Sequence, residues 1–367
     1  MRKVNYIIVL LIGLVCIACQ TTDSAPISDR AQGFHITPQG DSLLLTVYSP
    51  WQKGAVMQQW AMENGREGFQ RIICTSATHV GFISELGMTN QIVGLSRPER
   101  VYNLTEDDRA RIIDIGDDFQ INIEALLLCK PDLVIISSYM ESDATAQQIQ
   151  KLGIPVVYCQ EWCESSPLAR AEWIRFFGAI FGCQPKADSI YNAVCEAYNA
   201  SVASHYTCNH PREAINVSDS EPHYANKVSI MSGMSWRGTW YMPAGGTFMG
   251  QLFKDAGADY HFANNPSTLS IPLNIEQVIQ QFANADVWVG ADVRTLAELK
   301  AMDAKHTWFS AYQTGQVYHY LKRTLPSGAN DFWESGVVHP ERVLRDLQSI
   351  LQGDTAALYY SAPLERK

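Results

Sequence analysis

The sequence predicts an α/β protein of two Rossmann-like lobes with mainly parallel sheets, bridged by a long α-helix, with a ligand cleft between the lobes. Apolar strand-like runs alternate with helical segments over residues 71–160 and again over 227–361, a pattern typical of parallel sheets covered by helices. Residues 167–205, between these regions, read as helix, broken once near 182–185. A third observation is a repeated phrase: Asn122-Ile123-Glu124 precedes one predicted strand, and Asn274-Ile275-Glu276 precedes another.

The N-terminus has the pattern of an export signal. Arg2 and Lys3 precede an apolar run, Ile7 to Val15, which is too short for a comfortable membrane span. Ala18 before Cys19 resembles a bacterial lipobox, although Cys stands at position 16 where Leu is usual. We therefore expect residues 1–19 to be a lipoprotein signal peptide and Cys19 to carry lipid, which predicts a periplasmic or cell-envelope protein anchored to a membrane. An ordinary signal peptide cleaved nearby, or an uncleaved anchor, is the alternative.

The predicted domains follow from the order of the elements. Residues 20–62 form a tether and a β-hairpin region with strand-like runs at 33–36, 43–48 and 55–62. The N-terminal lobe spans 63–165, with strands at 72–74, 92–95, 112–115, 132–136 and 156–158. The bridging helix spans 166–206, and its apolar stripe at i, i+4 spacing predicts small closing motions. The C-terminal lobe spans 207–361, with strands at 227–232, 286–290 and 316–321; residues 206–226 read as a polar loop.

Composition limits the function. The net charge of −10 argues against a nucleic-acid partner. Seven cysteines follow Cys19, without a CxxC pair among them or a flanking His pair, so we predict no metal site, and their pairing cannot be read. The chain lacks a Gly-x-Ser-x-Gly elbow, a His-Glu-x-x-His helix and a phosphate-binding loop, so we predict that it is not an enzyme. An extracytoplasmic α/β enzyme, a bare zinc or manganese carrier and a sensor or interaction lipoprotein are the rival functions.

The repeated phrase predicts two equivalent surface features. Each Asn can cap its helix, and each Glu then lies in the first helical turn, beside the positive end of the helix dipole. Similar phrases, Glu85-Leu86-Gly87-Met88 and Asp255-Ala256-Gly257-Ala258, lie upstream of the two copies. Two similar lobes with one exposed acid each indicate a partner with two-fold symmetry.

Ligands of open α/β sheets bind beyond the carboxyl ends of the strands. Aromatic and arginine side chains are frequent in the loops that this rule selects, which suits a large, flat or conjugated ligand with anionic groups. The alternatives are packing between the lobes for the aromatic residues, solvated charges for the arginines and a helix-start hydrogen bond for His79. The candidate ligand-binding residues from these loops are His79, Arg97, Arg100, Tyr102, Phe119, Tyr139, Trp236, Arg237, Trp240, Tyr241, Phe332 and Trp333.

In order along the chain, eight phrases resemble the periplasmic substrate-binding proteins of ABC importers, in the subgroup with a rigid interlobe helix that handles ferric siderophores, haem and cobalamin. The resemblance covers about residues 70–350. The phrases are Thr75–His79, Leu86-Gly87 with Ile92–Gly94, Asn122–Glu124 with Lys130–Val134, Gly153–Val156, Trp240–Gly246, Asp255–Gly257, Asn274–Glu276 and Asn330–Glu334.

The resemblance implies capture of an iron chelate, siderophore or haem, by a monomer that delivers it to an ABC permease dimer with a cytoplasmic ATPase. It implies no cofactor, since the chelate is the ligand. Glu124 and Glu276 match the acids that dock onto permease arginines; the alternative is that they only favour their helix N-termini. Asp331-Phe332 resembles an acidic-aromatic pair of cobalamin-binding relatives, which adds Asp331 to the candidate site. A basic residue follows that pair in those relatives, whereas Ser335-Gly336 follows it here. This departure argues against cobalamin, so a corrinoid is the alternative ligand and an iron chelate the first.

Overall fold

A computed structural model of the chain describes residues 29–63, 68–117, 120–141, 143–209 and 227–366. The strands are β1 Phe34–Gln39, β2 Ser42–Tyr48, β3 Val56–Glu63, β4 Ile72–Cys74, β5 Ile92–Leu95, β6 Ile113–Asp114, β7 Gly116–Asp117, β8 Gln120–Ile121, β9 Leu133–Ile136, β10 Val156–Tyr158, β11 Ile230–Ser232, β12 Ser235–Trp236, β13 Thr239–Pro243, β14 Ser270–Leu273, β15 Val287–Ala291, β16 Val317–His319 and β17 Ala362–Pro363. The α-helices are α1 Ala77–Glu85, α2 Glu106–Arg111, α3 Ile123–Leu128, α4 Ala144–Lys151, α5 Pro167–Ala171, α6 Trp173–Phe181, α7 Gln184–Asn209, α8 Phe248–Asp255, α9 Ile275–Phe282, α10 Leu296–Met302, α11 Ser310–Thr314, α12 Ser335–Val338 and α13 Pro340–Gln352.

The first lobe is built on a five-stranded parallel sheet with the order β10-β9-β4-β5-β6. The edge strand β10 and the interior strands β9 and β4 are buried along their whole length. Such burial is typical of parallel sheets that helices cover on both faces. All five strands run the same way, so their carboxyl ends lie along one edge. The loops at this edge are called the carboxyl edge of the first lobe below.

The second lobe has a smaller mixed sheet with the order β11-β15-β16-β17, in which the first three strands are parallel and β17 is antiparallel. A separate antiparallel sheet, β12-β13-β14, stands beyond the end of β11. The predicted two-lobe α/β fold is therefore confirmed. The additional antiparallel sheet and β17, which lies after residue 361, were not predicted.

The N-terminal region forms a three-stranded antiparallel sheet, β1-β2-β3, so it has one strand more than a hairpin. The Gln58 side chain donates to the carbonyl of Val156 (2.9 Å) and accepts from the N–H of Tyr158 (3.1 Å). These bonds satisfy backbone groups of β10, the edge strand of the first-lobe sheet, and protect it from other strands.

Two buried carboxylates fix the start of the described chain. Glu172 accepts the backbone N–H groups of residues 29–31 at 2.6–2.9 Å, and Glu164 accepts those of residues 32 and 33. Both acids lie in or beside α5 and α6. The N-terminal segment is therefore held against the helices that connect the lobes.

The bridge consists of three helices, because the chain breaks at Glu172 as well as at Gly182, which ends α6 with a left-handed backbone (φ 66°). The long helix α7 connects the lobes. Near its start, Lys186 donates to the carbonyl of Leu86 at the end of α1; farther along, Tyr198 donates to Asp255 at the end of α8. Helix α7 continues to Asn209, so the polar loop predicted from residue 206 begins later; residues 210–226 lie outside the described residues.

The repeated phrases adopt the same local structures in both lobes. Asn122 accepts from the N–H of Ala125 (3.1 Å), and Asn274 accepts from that of Gln277 (2.9 Å), so each Asn caps its helix as predicted. The upstream echo marks two equivalent helix ends. Gly87 after α1 (φ 70°) and Gly257 after α8 (φ 80°) both adopt the left-handed conformation that glycine allows without strain.

Within the described ranges, no helix has both the length and the apolar character that crossing a membrane requires.

Candidate functional site

The loop after β16, at the carboxyl edge of the second lobe, contacts the loop after β5 and helix α1 of the first lobe. These contacts, centred on Glu334, are called the line of contact below. Glu334 of the second lobe accepts the backbone N–H groups of Tyr102 and Asn103 of the first, the latter at 2.9 Å. Gly81 of α1 packs against the backbone of Glu334, and a Cβ added at Gly81 would lie 2.5 Å from its carbonyl oxygen. Glycine therefore allows the two lobes to approach this closely.

Helix α2 supports the first-lobe loop that takes part in this contact. Arg109 of α2 donates to the carbonyls of Pro98 (3.0 Å) and Val101 (2.7 Å), which fixes the loop after β5. Helix α2 begins with a capping box in which Thr105 and Asp108 satisfy each other's backbone N–H groups. The loop that presents Tyr102 and Asn103 is therefore supported by a well-capped helix.

Three predicted ligand-binding residues belong to the contact between the lobes. Asp331 is buried, accepts from Arg323 (2.6 Å) and also accepts from the side chain of Asn103 (2.8 Å). Phe332 is buried and stacks on Tyr320, with ring centroids 4.1 Å apart. Tyr102 lies under the Arg323 guanidinium, 5.3 Å from its ring centroid. The prediction that Asp331 and Phe332 face a ligand is corrected, because ion pairing and stacking bury both side chains.

Glu334 has an unusual acidity for a carboxyl group. Burial raises the pKa of Glu334 to about 7, although the N–H groups of Tyr102 and Asn103 act in the opposite direction. The charge of Asp331 also raises it. The contact between the lobes therefore contains a group that titrates near neutral pH.

Trp240 was predicted to line the cleft, and the structure corrects this. Side chains alternate along β13, so Trp240 faces the core while Tyr241 faces solvent. The Trp240 ring packs against Trp288 and Phe309, and its indole N–H donates to the carbonyl of Ser232 at 2.8 Å. Trp240 therefore stabilises the second lobe and contributes no exposed surface to the cleft.

His79 was predicted in the first pocket loop, and it is instead fully buried on α1. Burial lowers the pKa of His79 to about 4, while the charge of Glu161 acts in the opposite direction. The imidazole is therefore neutral at physiological pH. It offers no surface to a large ligand.

Several predicted aromatic residues are exposed at the carboxyl edges. The exposed fractions are 47% for Tyr139, 62% for Trp236, 50% for Tyr241 and 51% for Trp333. Tyr139 lies beside Trp162, with ring centroids 5.4 Å apart. Trp162 was missed because the loop after β10 was left out of the selection, although the same strand-end rule includes it.

Three predicted arginines are exposed in the loops at the carboxyl edges, and one of them lies beside an aromatic residue. Arg97 after β5 is paired with Asp117, and Arg237 lies over the ring of Trp236 at 4.5 Å. Both arginines have a left-handed backbone (φ 51°), which is costly for residues other than glycine and is common at functional sites. Arg100 is exposed and reaches Gly328 of the second lobe, where an added Cβ would lie 2.8 Å from its Nη1.

The predicted docking acids both lie on the surface. Glu124 is exposed in the first turn of α3. Glu276 is exposed in the first turn of α9 and binds Lys305 at 2.6 Å, which holds the pKa of Glu276 below its usual range. Phe119 and Cys19 lie outside the described residues, so their predicted roles stay predictions.

A small apolar cavity lies behind the line of contact. It has a volume of about 20 Å³, which is room for about one water molecule, and Phe332, Trp333, Pro167, Phe248 and Val337 are among its lining residues. A chelate does not fit in this cavity. The open surface at the carboxyl edges is the part of the cleft with exposed aromatic and cationic groups.

Comparisons with known proteins agree with this fold. The family model described as "Periplasmic binding protein" matches residues 72–324. The uncharacterized lipoprotein MJ0878 of Methanocaldococcus jannaschii is 22% identical over 310 residues, which cover 80% of this chain and 69% of that protein.

Solved structures have the same architecture. A periplasmic haem-binding protein from Pseudomonas aeruginosa superposes with a TM-score of 0.59 at 13% identity, over 82% of this chain and 99% of that one. A structure of the ABC-type Fe3+-hydroxamate transport system from Saccharomonospora viridis superposes with a TM-score of 0.52 at 17% identity, over 74% and 89%. The family match covers more than half of the residues, and the chain belongs to the periplasmic binding protein family.

Proposed function

We propose that this protein captures an iron chelate, a siderophore or haem, between its lobes and delivers it to an ABC permease dimer driven by a cytoplasmic ATPase. The observation that carries the proposal is the set of exposed aromatic and arginine side chains at the two carboxyl edges. Exposed Tyr139, with the half-buried Trp162 beside it, lies in the first lobe, and exposed Trp236 and Tyr241 lie in the second. Aromatic faces bind flat or conjugated ligands through large contact areas.

The arginines supply the complementary charge. Arg97 and Arg237 come from opposite lobes, and Arg100 lies near the line of contact. Ferric siderophores and haem propionates carry anionic oxygens, which guanidinium groups bind by charge-assisted hydrogen bonds. Asp117 holds Arg97 in place, so an anionic ligand meets a preorganised group rather than a mobile one.

The family supports capture rather than catalysis. Its members, and the solved structures with this fold, are binding proteins. The lobes are joined by α7, whose Lys186 and Tyr198 hydrogen-bond to the first and second lobes respectively. Such a bridge favours small closing motions, so little conformational entropy is lost when the ligand binds.

Delivery requires a docking surface, and we propose that it contains Glu124 and Glu276. Leu128, which is 73% exposed, lies four residues after Glu124 and therefore on the same helix face. Trp308, which is 58% exposed, lies three residues after Lys305, the partner of Glu276. Each acid thus stands beside an exposed apolar side chain, and this combination suits a partner with arginines and an apolar surface.

The proposed envelope location and chelate are tested on protein from the native host. We expect the protein in the membrane fraction, held by lipid on Cys19, and we expect the absorbance of the purified protein to contain a haem Soret band or a ferric charge-transfer band. A corrin spectrum would replace the iron chelate by a corrinoid. Protein found only in the soluble fraction would contradict the lipid anchor.

The chelate site is tested with two matched tryptophans. Titration with haemin and with a ferric hydroxamate, followed by absorbance, should give saturable binding of one of them. Trp236→Ala should weaken that binding by about 1–3 kcal/mol, the scale of one aromatic anchor. Trp308→Ala removes an equally exposed indole from the proposed docking surface and should leave chelate affinity unchanged. Equal effects of the two variants would place the chelate elsewhere, and failure of both chelates to bind would reject the ligand class.

A further inference from the structure

A buried cluster of three metal-binding side chains lies at the carboxyl edge of the first lobe. Cys159 follows β10, Glu161 opens the short 3-10 helix Glu161–Cys163, and His79 is on α1. Their ligand atoms all lie within 4.8 Å of one another, and none of the three residues is more than 1% exposed. A thiol, an imidazole and a carboxylate therefore converge at one buried point.

The cluster is poorly satisfied by its own hydrogen bonds. The Cys159 thiol lies 3.6 Å from Oε2 of Glu161, and Arg170 Nη2 lies 3.5 Å from Oε1. His79 Nδ1 has no hydrogen-bond partner among the described residues, and its Nε2 lies 3.5 Å from Ser137 Oγ. All of these contacts are long, whereas buried polar groups in native proteins usually have close partners.

Two other buried carboxylates of this protein differ clearly from Glu161. Glu172 accepts three backbone N–H groups at 2.6–2.9 Å. Asp346 likewise accepts the N–H groups of residues 359–361 at 2.6–2.9 Å. Backbone donors thus satisfy Glu172 and Asp346 closely. A buried, weakly partnered acid beside an unpartnered imidazole nitrogen and a thiol is a set of donors that suits a bound cation.

The donor set selects the kind of cation. Thiolate, imidazole and carboxylate together suit zinc and similar divalent transition metals, while calcium and magnesium prefer oxygen ligands alone. Tetrahedral ligands about 2.0–2.3 Å from zinc lie about 3.3–3.8 Å apart. The observed cluster needs only a contraction of about 1 Å, which side-chain rotation supplies. Ser137 is then placed to accept from the Nε2–H of a histidine that binds through Nδ1.

We propose that His79, Cys159 and Glu161 form a binding site for one zinc-class divalent ion, separate from the chelate site. Three protein ligands leave a fourth position for water. The metal–sulfur bond forms as the Cys159 thiol releases its proton to solvent, and the thiolate and carboxylate balance the charge of the ion. The ion would fix the loop after β10, which carries Trp162 into the rim of the cleft.

The test uses metal alone and metal-free full-length protein. Calorimetry with Zn2+ should give one tight site that Glu161→Gln and Cys159→Ser both remove. Titration with Co2+ should give a thiolate-to-cobalt absorption band that is absent in Cys159→Ser. In both variants the loss of Zn2+ affinity should be larger than the loss of about 10–100-fold that follows removal of a residue that only hydrogen-bonds to a metal ligand. Cys129→Ser, which changes another buried thiol of the same lobe, is the matched control and should retain the site.

Three results would overturn the proposal: no stoichiometric Zn2+ binding by the wild-type protein, unchanged binding by Cys159→Ser and Glu161→Gln, or equal loss in Cys129→Ser. The wild-type titration decides even where a variant does not fold. Haemin and ferric hydroxamate binding are measured separately on the zinc-free protein, so failure of the metal site is distinguished from failure of the proposed chelate function.

Discussion

Adjacent tryptophan and tyrosine side chains on β13 have opposite roles. Trp240 is enclosed by Trp288 and Phe309, and Tyr241 points to solvent. The sequence placed both residues in one aromatic run, because composition alone does not reveal which face of a strand is covered. Trp288 and Phe309 cover one face of β13 and leave the other to solvent, and the antiparallel sheet that contains β13 was not predicted.

This difference predicts two distinct mutational effects. Trp240→Ala should lower the free energy of unfolding by about 3–5 kcal/mol, because it leaves a cavity in the second-lobe core. Tyr241→Ala should change that free energy by no more than about 0.5 kcal/mol and should weaken chelate binding. Urea unfolding and chelate titration measure the two quantities. If Trp240→Ala left the protein stable but weakened chelate binding, Trp240 would be a ligand-binding residue and not a core residue.

Glu334 joins the lobes through the backbone of residues 102 and 103, and its acidity links that contact to pH. Burial raises the pKa of Glu334 from 4.5 to about 7, so the folded protein binds its proton more tightly than the unfolded chain does. The resulting stability is fully present below about pH 4.5 and is lost as the pH rises through about 7.

The pH dependence is tested by replacing the carboxyl group. Between pH 4.5 and 7 the Glu334 contribution to the free energy of unfolding should fall by about 2–4 kcal/mol. Glu334→Gln cannot titrate, so its unfolding free energy should lack this part of the decline. Urea unfolding of both proteins across this pH range gives the comparison. Parallel pH curves would show that another group is responsible.

At the scale of helices, the repeated phrases were the most informative part of the sequence. Asn122 and Asn274 cap their helices, and the glycines of the upstream echo, Gly87 and Gly257, terminate α1 and α8 in the same conformation. These features were predictable because each depends on a few neighbouring residues with specific hydrogen bonds.

Other features depend on contacts between distant residues, and the sequence did not reveal them. The bridge divides at Glu172, and this acid binds the N-terminal segment, about 140 residues earlier in the chain. Asp331 and Phe332 were predicted to face the ligand, but Arg323, Asn103 and Tyr320 bury them. Cys159 and Glu161 meet His79 only through the order β10-β9-β4 of the sheet.

At the scale of the whole molecule, the two lobes present Glu124 and Glu276 as exposed acids in the first turns of equivalent helices. Lys305 already pairs with Glu276 on the surface, where solvent screens an ion pair and leaves it little net stability. In the proposed docking, a permease arginine would therefore replace Lys305 at little cost. The proposed docking requires both acids at once, which favours a symmetric partner.

Charge reversal tests the docking proposal. Glu124→Lys together with Glu276→Lys should abolish uptake, because the new lysines repel the permease arginines, and should leave chelate affinity unchanged. Glu106→Lys is the matched control, since Glu106 is also an exposed acid in the first turn of a short helix, α2. Uptake assays and chelate titrations are needed together. Normal uptake by the double variant would reject these acids as docking residues. Weaker chelate binding would place them at the chelate site instead of the docking surface.

The hydrogen bond from the Asp29 backbone N–H to Glu172 also fixes the point at which the N-terminal segment joins the folded body. On the proposal that Cys19 carries lipid, nine residues (20–28) separate it from Asp29, and the ten steps from Cys19 to Asp29 reach at most about 33–36 Å. The proposed anchor would confine the binding protein to within that distance of the membrane surface, where the proposed permease lies. Weak, rapidly reversible docking would then suffice for the proposed delivery, because an emptied carrier stays at the membrane after it leaves the permease.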